Sequence, residues 1–403
     1  MTYTLRDYQE AAIDAAGKAL AKHPTALVVA PTASGKSLII AGIIQRALAK
    51  DSSKRVLVLC STKEILEQNE NQVKVFCGQK VSTGIYCAGT GRKETSAQVI
   101  CASRDSLGRD PLVCGRFDFV LLDEAHQAAL EIDDEDDETR YGNIIRTLSP
   151  KYTVGLTGTP WRLAGGNVWG KNNFFKSIAY NIPMRRLIDE GFLSPYVFPP
   201  VDTKIDTSEL KRSSTGDFVV SQIEKVAGRE LCRSAIKEWM LRASTRRVSL
   251  FFCASRTHGK LVAELLAEKI GFENVAYLDG ETRKTEREKM VKNIKAGKYR
   301  AVVNIGTLTT GFDAPIIDCV VFLRPTASAS LFVQMSGRGL RRYPGKSNCM
   351  FLDMAGNFDR FGSIETPKVK STGLPAAKEE EDEEKKPVPR KPCPSCEYPI
   401  SIM

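Results

Sequence analysis

Short, almost wholly apolar runs alternate with amphipathic stretches along the first half of the chain. The apolar runs fall at 26–29, 56–60, 98–101, 117–122 and 152–157. Runs of four to six apolar residues, bounded by polar turns, predict strands covered on both faces. The stretches between them carry helical spacing, so the pattern predicts a parallel α/β sheet. Around 183–191 a short amphipathic helix closes on Gly191, and prolines at 195, 199 and 200 follow. A second alternation then begins, with strands predicted at 248–253, 275–278, 301–304, 319–323 and 349–353. The two halves share an architecture and no sequence repeat. The pattern therefore predicts a domain over 1–194, a second over 195–366, a charged proline-containing linker over 367–392 and a short terminal piece over 393–403.

Composition adds limits. The chain has 403 residues, 42% of them apolar and 26% charged, which describes a globular protein. No apolar run is of membrane-spanning length, and the first residues carry no secretory pattern, so a cytoplasmic location without membrane contact is expected. The formal charge of +10 favours an anionic partner. Nine of the eleven cysteines are scattered, many in apolar surroundings, and are expected as buried free thiols. The acidic stretch 131–138 is expected as a solvated loop.

The first apolar run leads into Ala30-Pro31-Thr32-Ala33-Ser34-Gly35-Lys36-Ser37, followed by the apolar 38–44. Strand, small-residue turn and helix is the order a phosphate-binding loop needs, because backbone N–H groups and a helix N-terminus must converge on anionic oxygens. Lys36 is placed to reach the outer phosphates, and the Ser37 hydroxyl to hold Mg²⁺. Ala30 stands where the pattern has its first glycine. Downstream, the strand predicted at 117–122 ends in Asp123-Glu124-Ala125-His126. Paired acids at the end of a buried strand suit a ligand site, with Asp123 on Mg²⁺ and Glu124 on an attacking water.

Together, the loop and Asp-Glu-Ala-His resemble a superfamily 2 helicase of the DEAD/DEAH class. Further motifs stand in the order of that family. Leu5-Arg6-Asp7-Tyr8-Gln9 resembles its adenine-reading motif, with Gln9 pairing to the base edge and Arg6 stacking on the ring. Thr157-Gly158-Thr159-Pro160 resembles the motif that links hydrolysis to movement. Gly306-Thr307-Leu308-Thr309-Thr310-Gly311-Phe312-Asp313 resembles the motif touching both nucleotide and strand. Gln334-Met335-Ser336-Gly337-Arg338-Gly339-Leu340-Arg341 resembles the closing motif. Arg338 and Arg341 lie three apart, so a helix is expected to show both on one face.

The resemblance implies two tandem RecA-like lobes, with ATP and Mg²⁺ in the cleft between them. The implied catalytic residues are Lys36, Asp123, Glu124, His126, Gln334, Arg338 and Arg341. The implied nucleotide contacts are Arg6, Gln9, Thr32, Ala33, Ser34, Gly35, Lys36, Ser37, Gly311 and Asp313. Nucleic-acid contacts are implied at Thr62, Lys63, Ser103, Ser255 and Thr307. A narrower resemblance rests on residues 4–9 and 308–315, Leu323-Arg324-Pro325-Thr326 and Asp353-Met354-Ala355-Gly356-Asn357. These stretches are similar to the bacterial DNA-repair ATPases of the RadD family and their phage relatives, in which a zinc ribbon follows the motor.

Cys393-Pro394-Ser395-Cys396 has the spacing of half a four-thiolate zinc site. Only seven residues follow, so the second pair is expected in sequence beyond Met403; a second chain or a vestige are the alternatives. Zn²⁺ is implied only if the site is completed. The expected function is a DNA helicase or translocase of repair or recombination, acting on single-stranded or branched DNA. An ATP-dependent switch without unwinding and an RNA helicase stay open, as does a restriction motor subunit, although no nuclease constellation is present.

Overall fold

The computed structural model describes residues 4–78, 80–128, 140–163, 166–306, 314–369, 390–392 and 399–401. The chain divides into two compact units: Met1–Arg162 with Asn167–Arg186, and Leu163–Gly166 with Leu187–Met403.

An eight-stranded sheet forms the first unit. Its order is Ile178–Asn181, Thr25–Val29, Tyr152–Thr157, Phe119–Asp123, Val56–Cys60, Val99–Ser103, Thr83–Cys87 and Arg92–Lys93. Every pairing is parallel except that of the last two strands. Central strands such as Val56–Cys60 are buried at every position, which is why they read as unbroken apolar runs. One face packs Leu27, Leu57, Leu59, Ile100, Val120 and Leu122 against Tyr141, Ile144 and Leu148, with Trp169 at the margin. Trp169 is thereby a packing residue.

The second unit is a six-stranded parallel sheet in the order Tyr196–Val197, Cys349–Asp353, Cys319–Phe322, Ser249–Phe252, Ala301–Asn304 and Val275–Leu278. Trp239 is fully buried against it and donates Nε1–H to Ser249 Oγ at 2.8 Å. Two of the four stretches of the narrower resemblance, 323–326 and 353–357, meet here. Asn357 accepts from Thr326 N at 3.1 Å and donates to Arg324 O at 3.1 Å. Asp217 accepts from Thr326 Oγ1 at 3.1 Å and from Ala327 N at 2.7 Å.

The predicted strands are all present, five with the predicted bounds and five with ends moved by one or two residues. All nine described cysteines are free thiols, and all but Cys77 are buried. Burial pushes the Cys232 and Cys349 thiols up to about 11. Near the C-terminus, Arg390–Pro392 pairs antiparallel with Pro399–Ser401. Cys393 and Cys396 lie outside the described residues, as does the acidic stretch 131–138. No helix among the described residues is long and apolar enough to cross a membrane.

Candidate active site

Five strands of the first sheet deliver candidate residues to its C-terminal edge, where parallel sheets bind ligands. Thr25–Val29 runs into the Ala30–Ser37 loop, and Val56–Cys60 into Ser61-Thr62-Lys63. Val99–Ser103 ends on Ser103, and Phe119–Asp123 leads into Glu124. Tyr152–Thr157 leads into Gly158-Thr159.

The loop is shaped by its backbone. Ala33 has φ +69° and Gly35 has φ +83°. Gly35 caps the helix Lys36–Lys50, so the first N–H groups of that helix open onto the loop. A Cβ on Gly35 would lie 2.5 Å from Gln9 Nε2. Gly158 packs backbone to backbone on the loop; a Cβ there would lie 3.2 Å from Ala30 O and 3.4 Å from Thr32 N. That close approach accounts for glycine in the Thr-Gly-Thr-Pro motif. Thr32, Ser34 and Ser37 are buried.

Lys36 Nζ lies 2.9 Å from Glu124 Oε1, with both side chains largely buried. Glu124 has φ +53°, a left-handed conformation that carries a cost for a residue with a Cβ. Asp123 accepts from Glu124 N at 3.0 Å and from Asn69 Nδ2 at 3.2 Å. Burial pushes its carboxyl up to about 6; the neighbouring Glu124 charge adds to the rise and Lys36 opposes it. His126 Nδ1 lies 2.9 Å from Thr157 Oγ1 and 3.4 Å from Glu124 Oε2. Thr157 Oγ1 donates to Thr159 O at 3.1 Å, so its single hydrogen is spent. That assigns the imidazole proton to Nδ1. Burial lowers the His126 pKa, which keeps the ring neutral at pH 7.

A hydroxyl from Ser37 and the Asp123 carboxylate are hard oxygen donors, the chemistry Mg²⁺ takes. The hydroxyls of Ser34, Ser61, Thr62 and Thr159 are buried with no hydrogen-bond partner among the described residues. Arg6 and Gln9 sit at the start of the helix Asp7–Leu20. Gln9 accepts from Arg6 N at 3.0 Å and donates to Ser34 O at 3.0 Å. One amide N–H and one lone pair of Gln9 remain for a base edge.

The candidate nucleic-acid contacts divide. Thr62 precedes the helix Lys63–Cys77, with its hydroxyl unused. Lys63 Nζ lies 3.7 Å from Glu64. Ser103 caps Arg104–Leu107 by accepting from Ser106 N at 3.2 Å. Ser255 caps Arg256–Ile270 by accepting from His258 N at 3.1 Å. His258 is itself buried, and burial brings its pKa down to about 4. Thr307, Gly311 and Asp313 lie outside the described residues.

In the second unit, Gln334 lies on the helix Ala329–Gly337 and Arg338 is its buried C-cap. The expectation that one helix shows both arginines is corrected: the helix ends before either of them. The N–H groups of Arg338, Gly339 and Leu340 bond to the carbonyls of Met335, Ser336 and Gly337, three residues back, so the α-helical spacing gives way to a tighter turn. Leu340 O accepts from Ser194 N at 2.7 Å, and Arg341 O accepts from Ser194 Oγ at 3.1 Å. Lys346, buried, donates to Gly339 O at 2.5 Å, Ile317 O at 2.6 Å and Arg341 O at 2.9 Å, which takes its three N–H groups, and Pro315 O lies 3.4 Å away.

Sequence reasoning missed Asn69, Tyr8 and Lys346. Asn69 had a signal: it falls in the apolar stripe Ile65, Leu66, Val73 of its helix and is fully buried. Lys346 had none, because its partners lie between five and thirty-one residues away.

Two family profiles match the chain. One, described as "Type III restriction enzyme, res subunit", covers residues 2–162, and one, described as "Helicase conserved C-terminal domain", covers residues 231–343. A 51.5 kDa protein of a Lactococcus phage is 25% identical over 340 residues, which cover 84% of this chain and 68% of the phage protein. The candidate ATP-dependent helicase IRC3 of Saccharomyces cerevisiae is 25% identical over 369 residues, 87% of this chain and 51% of that protein. The chain thus spans about half the length of the yeast relative. Among solved structures, the ATP-dependent Type ISP restriction-modification enzyme LlaBIII bound to DNA has a TM-score of 0.65 at 16% identity, over 88% of this chain and 28% of that one. S. cerevisiae Dbp5 bound to RNA and ADP BeF3 has a TM-score of 0.55 at 15% identity, over 86% of this chain and 82% of that one. These likenesses carry the fold: tandem RecA-like domains built on parallel sheets.

Proposed function

The chain belongs to the superfamily 2 helicases, and on that footing we propose that it is a DNA-dependent ATPase that translocates on or unwinds DNA in repair or recombination. The observation that carries the ATPase reading is the grouping of Lys36, Asp123, Glu124, His126 and Thr157 around one strand edge, with Lys36 held 2.9 Å from Glu124.

In this reading the Ala30–Ser37 loop takes the phosphates of ATP, and Lys36 leaves Glu124 for the outer phosphate oxygens. That exchange frees the Glu124 carboxylate to orient the attacking water and accept its proton. Ser37 and Asp123 hold Mg²⁺, which supplies positive charge to the phosphate oxygens. His126, neutral and tied to Thr157, relays the state of Glu124 to the Thr157-Gly158-Thr159 segment. Arg6 and Gln9 read the base, and Arg338 and Arg341 are assigned the charge that develops on the transferred phosphoryl group. Thr62 and Lys63, at the head of a helix, are assigned to the nucleic-acid backbone, as is Thr307. Ser103 and Ser255 support that surface through their capping bonds.

Asn69 sets the position of Asp123. An Asn69→Ala chain should need more Mg²⁺ for half-maximal hydrolysis and should turn over about tenfold more slowly, since a hydrogen bond to a charged group is worth about 1.5 kcal/mol or more. A magnesium titration of the ATPase checks this; an unchanged curve would remove Asn69 from the site.

DNA is favoured over RNA because the narrower motif stretches resemble DNA-repair ATPases. The test is ATP hydrolysis without nucleic acid and with single-stranded, duplex and branched DNA or single-stranded RNA, at two salt concentrations. We expect at least tenfold stimulation by DNA, strongest on single-stranded or branched forms and weakening with salt as phosphate contacts are screened. A preference for RNA would reassign the substrate. Full stimulation without strand displacement or translocation would make the chain a switch.

A further inference from the structure

The phosphate loop is gripped from outside by the helix Asp7–Leu20. Tyr8 is fully buried, and its hydroxyl donates to Ser34 O at 3.0 Å. Gln9 donates to the same oxygen at 3.0 Å. A carbonyl oxygen has two lone pairs, so side chains of one helix fill the acceptor capacity of Ser34. Arg6 Nη1 in turn donates to Tyr8 Oη at 2.9 Å. The hydroxyl therefore stands between a base-reading arginine and the loop.

This grip acts on a strained backbone. Ala33, next to Ser34, has φ +69°, which costs a residue with a Cβ about 1 kcal/mol. The peptide unit is planar and trans, so a Ser34 carbonyl held toward the helix sends the Gly35 N–H to the opposite side. That is the side on which a phosphate-binding loop presents its N–H groups.

We infer that Tyr8 is a positioning residue for nucleotide binding: its hydroxyl couples Arg6 to the Ser34–Gly35 peptide and holds the loop in its phosphate-accepting shape against the strain at Ala33. The inference rests on the reading of this loop as the ATP site. Tyr8 acts through the loop: its ring is fully buried and its hydroxyl is turned to Ser34 O. Gln9 differs, since its amide keeps capacity for the base.

Tyr8→Phe removes one oxygen and keeps the ring that packs. Without the hydroxyl, Ser34 keeps one donor, and loop shapes with the Ser34–Gly35 peptide turned become populated. Apparent affinity falls by the fraction that stays competent. Ala33→Gly removes the strain that the grip opposes, so it should repair the Tyr8→Phe defect.

The experiment is direct binding of a fluorescent ATP analogue with Mg²⁺ to the full chain, with Lys36→Ala as the reference for a disabled loop. Steady-state kinetics and melting temperatures accompany it. We expect Tyr8→Phe to raise Kd and KM for ATP about fivefold to tenfold while kcat changes less than twofold. The Tyr8→Phe, Ala33→Gly double variant should recover most of that loss. Ala33→Gly should tighten binding more in the Tyr8→Phe background than in the parent. A merely structural tyrosine would lower the melting temperature and give no rescue. Parent-like binding by Tyr8→Phe, or additive effects in the double variant, would overturn the inference while leaving the ATP site intact. A parent chain that binds ATP no better than Lys36→Ala would overturn the nucleotide reading and this inference with it.

Discussion

A Glu124→Gln chain should bind ATP at least as tightly as the parent and hydrolyse it at least a hundredfold more slowly. The two effects come from the same carboxylate. Before nucleotide arrives, Glu124 is the partner of Lys36 at 2.9 Å, so part of the attraction between the ammonium and the phosphates goes to breaking that pair. An amide in its place competes less for the ammonium, and binding gains. Hydrolysis loses the group that takes the proton from water, a role worth roughly 10²–10⁴ in rate. Single-turnover hydrolysis alongside nucleotide affinity checks both halves. Parent-like turnover would remove Glu124 from the chemistry. Tighter binding with parent-like turnover would make it a partner of Lys36 and nothing more.

Lys36→Ala should fail earlier in the cycle. Affinity for ATP should fall at least tenfold and kcat/KM about a thousandfold or more, because the loop loses its one positively charged side chain and Glu124 is left largely buried without its ion-pair partner. That second effect separates Lys36→Ala from Lys36→Met/Glu124→Gln, in which no carboxylate is abandoned. The double variant should match Lys36→Ala in activity and melt at a higher temperature. A calorimetric scan of the two proteins beside a binding isotherm makes the comparison. Equal melting temperatures would mean that the abandoned carboxylate carries no cost.

Much of this site was legible because its groups are close in sequence to strand ends. The pattern of Val28-Val29 before Ala30–Ser37, and of Leu121-Leu122 before Asp123-Glu124, places both stretches at the same sheet edge once the strands are taken as parallel. What stayed hidden depends on pairings across long sequence gaps. The bond from Asn69 to Asp123 spans 54 residues, and that from Tyr8 to Ser34 spans 26. Neither follows from periodicity. Arg338 and Arg341 show the opposite failing. Their spacing is local and helical, but the chain tightens at 338–340 into bonds three residues back, and Ser194 and Lys346 hold the carbonyls of Gly339, Leu340 and Arg341 in that turned course. Tertiary hydrogen bonds overrode local preference there. The left-handed Glu124 and Ala33 were also invisible, because neither residue type announces a positive φ.

Lys346 welds two stretches of backbone into one mechanical part. Its three N–H groups hold the carbonyl of Ile317 on one side and those of Gly339 and Arg341 on the other. Burial lowers its pKa, yet no carboxylate is among these partners, so the carbonyl oxygens together do the work of a counter-ion. A displacement of Ile317 is therefore passed to Gly339 and Arg341 through these bonds as well as along the chain between them. The two stretches travel together or the weld breaks, and the chain behaves there as a linkage with one joint fewer than its sequence would allow.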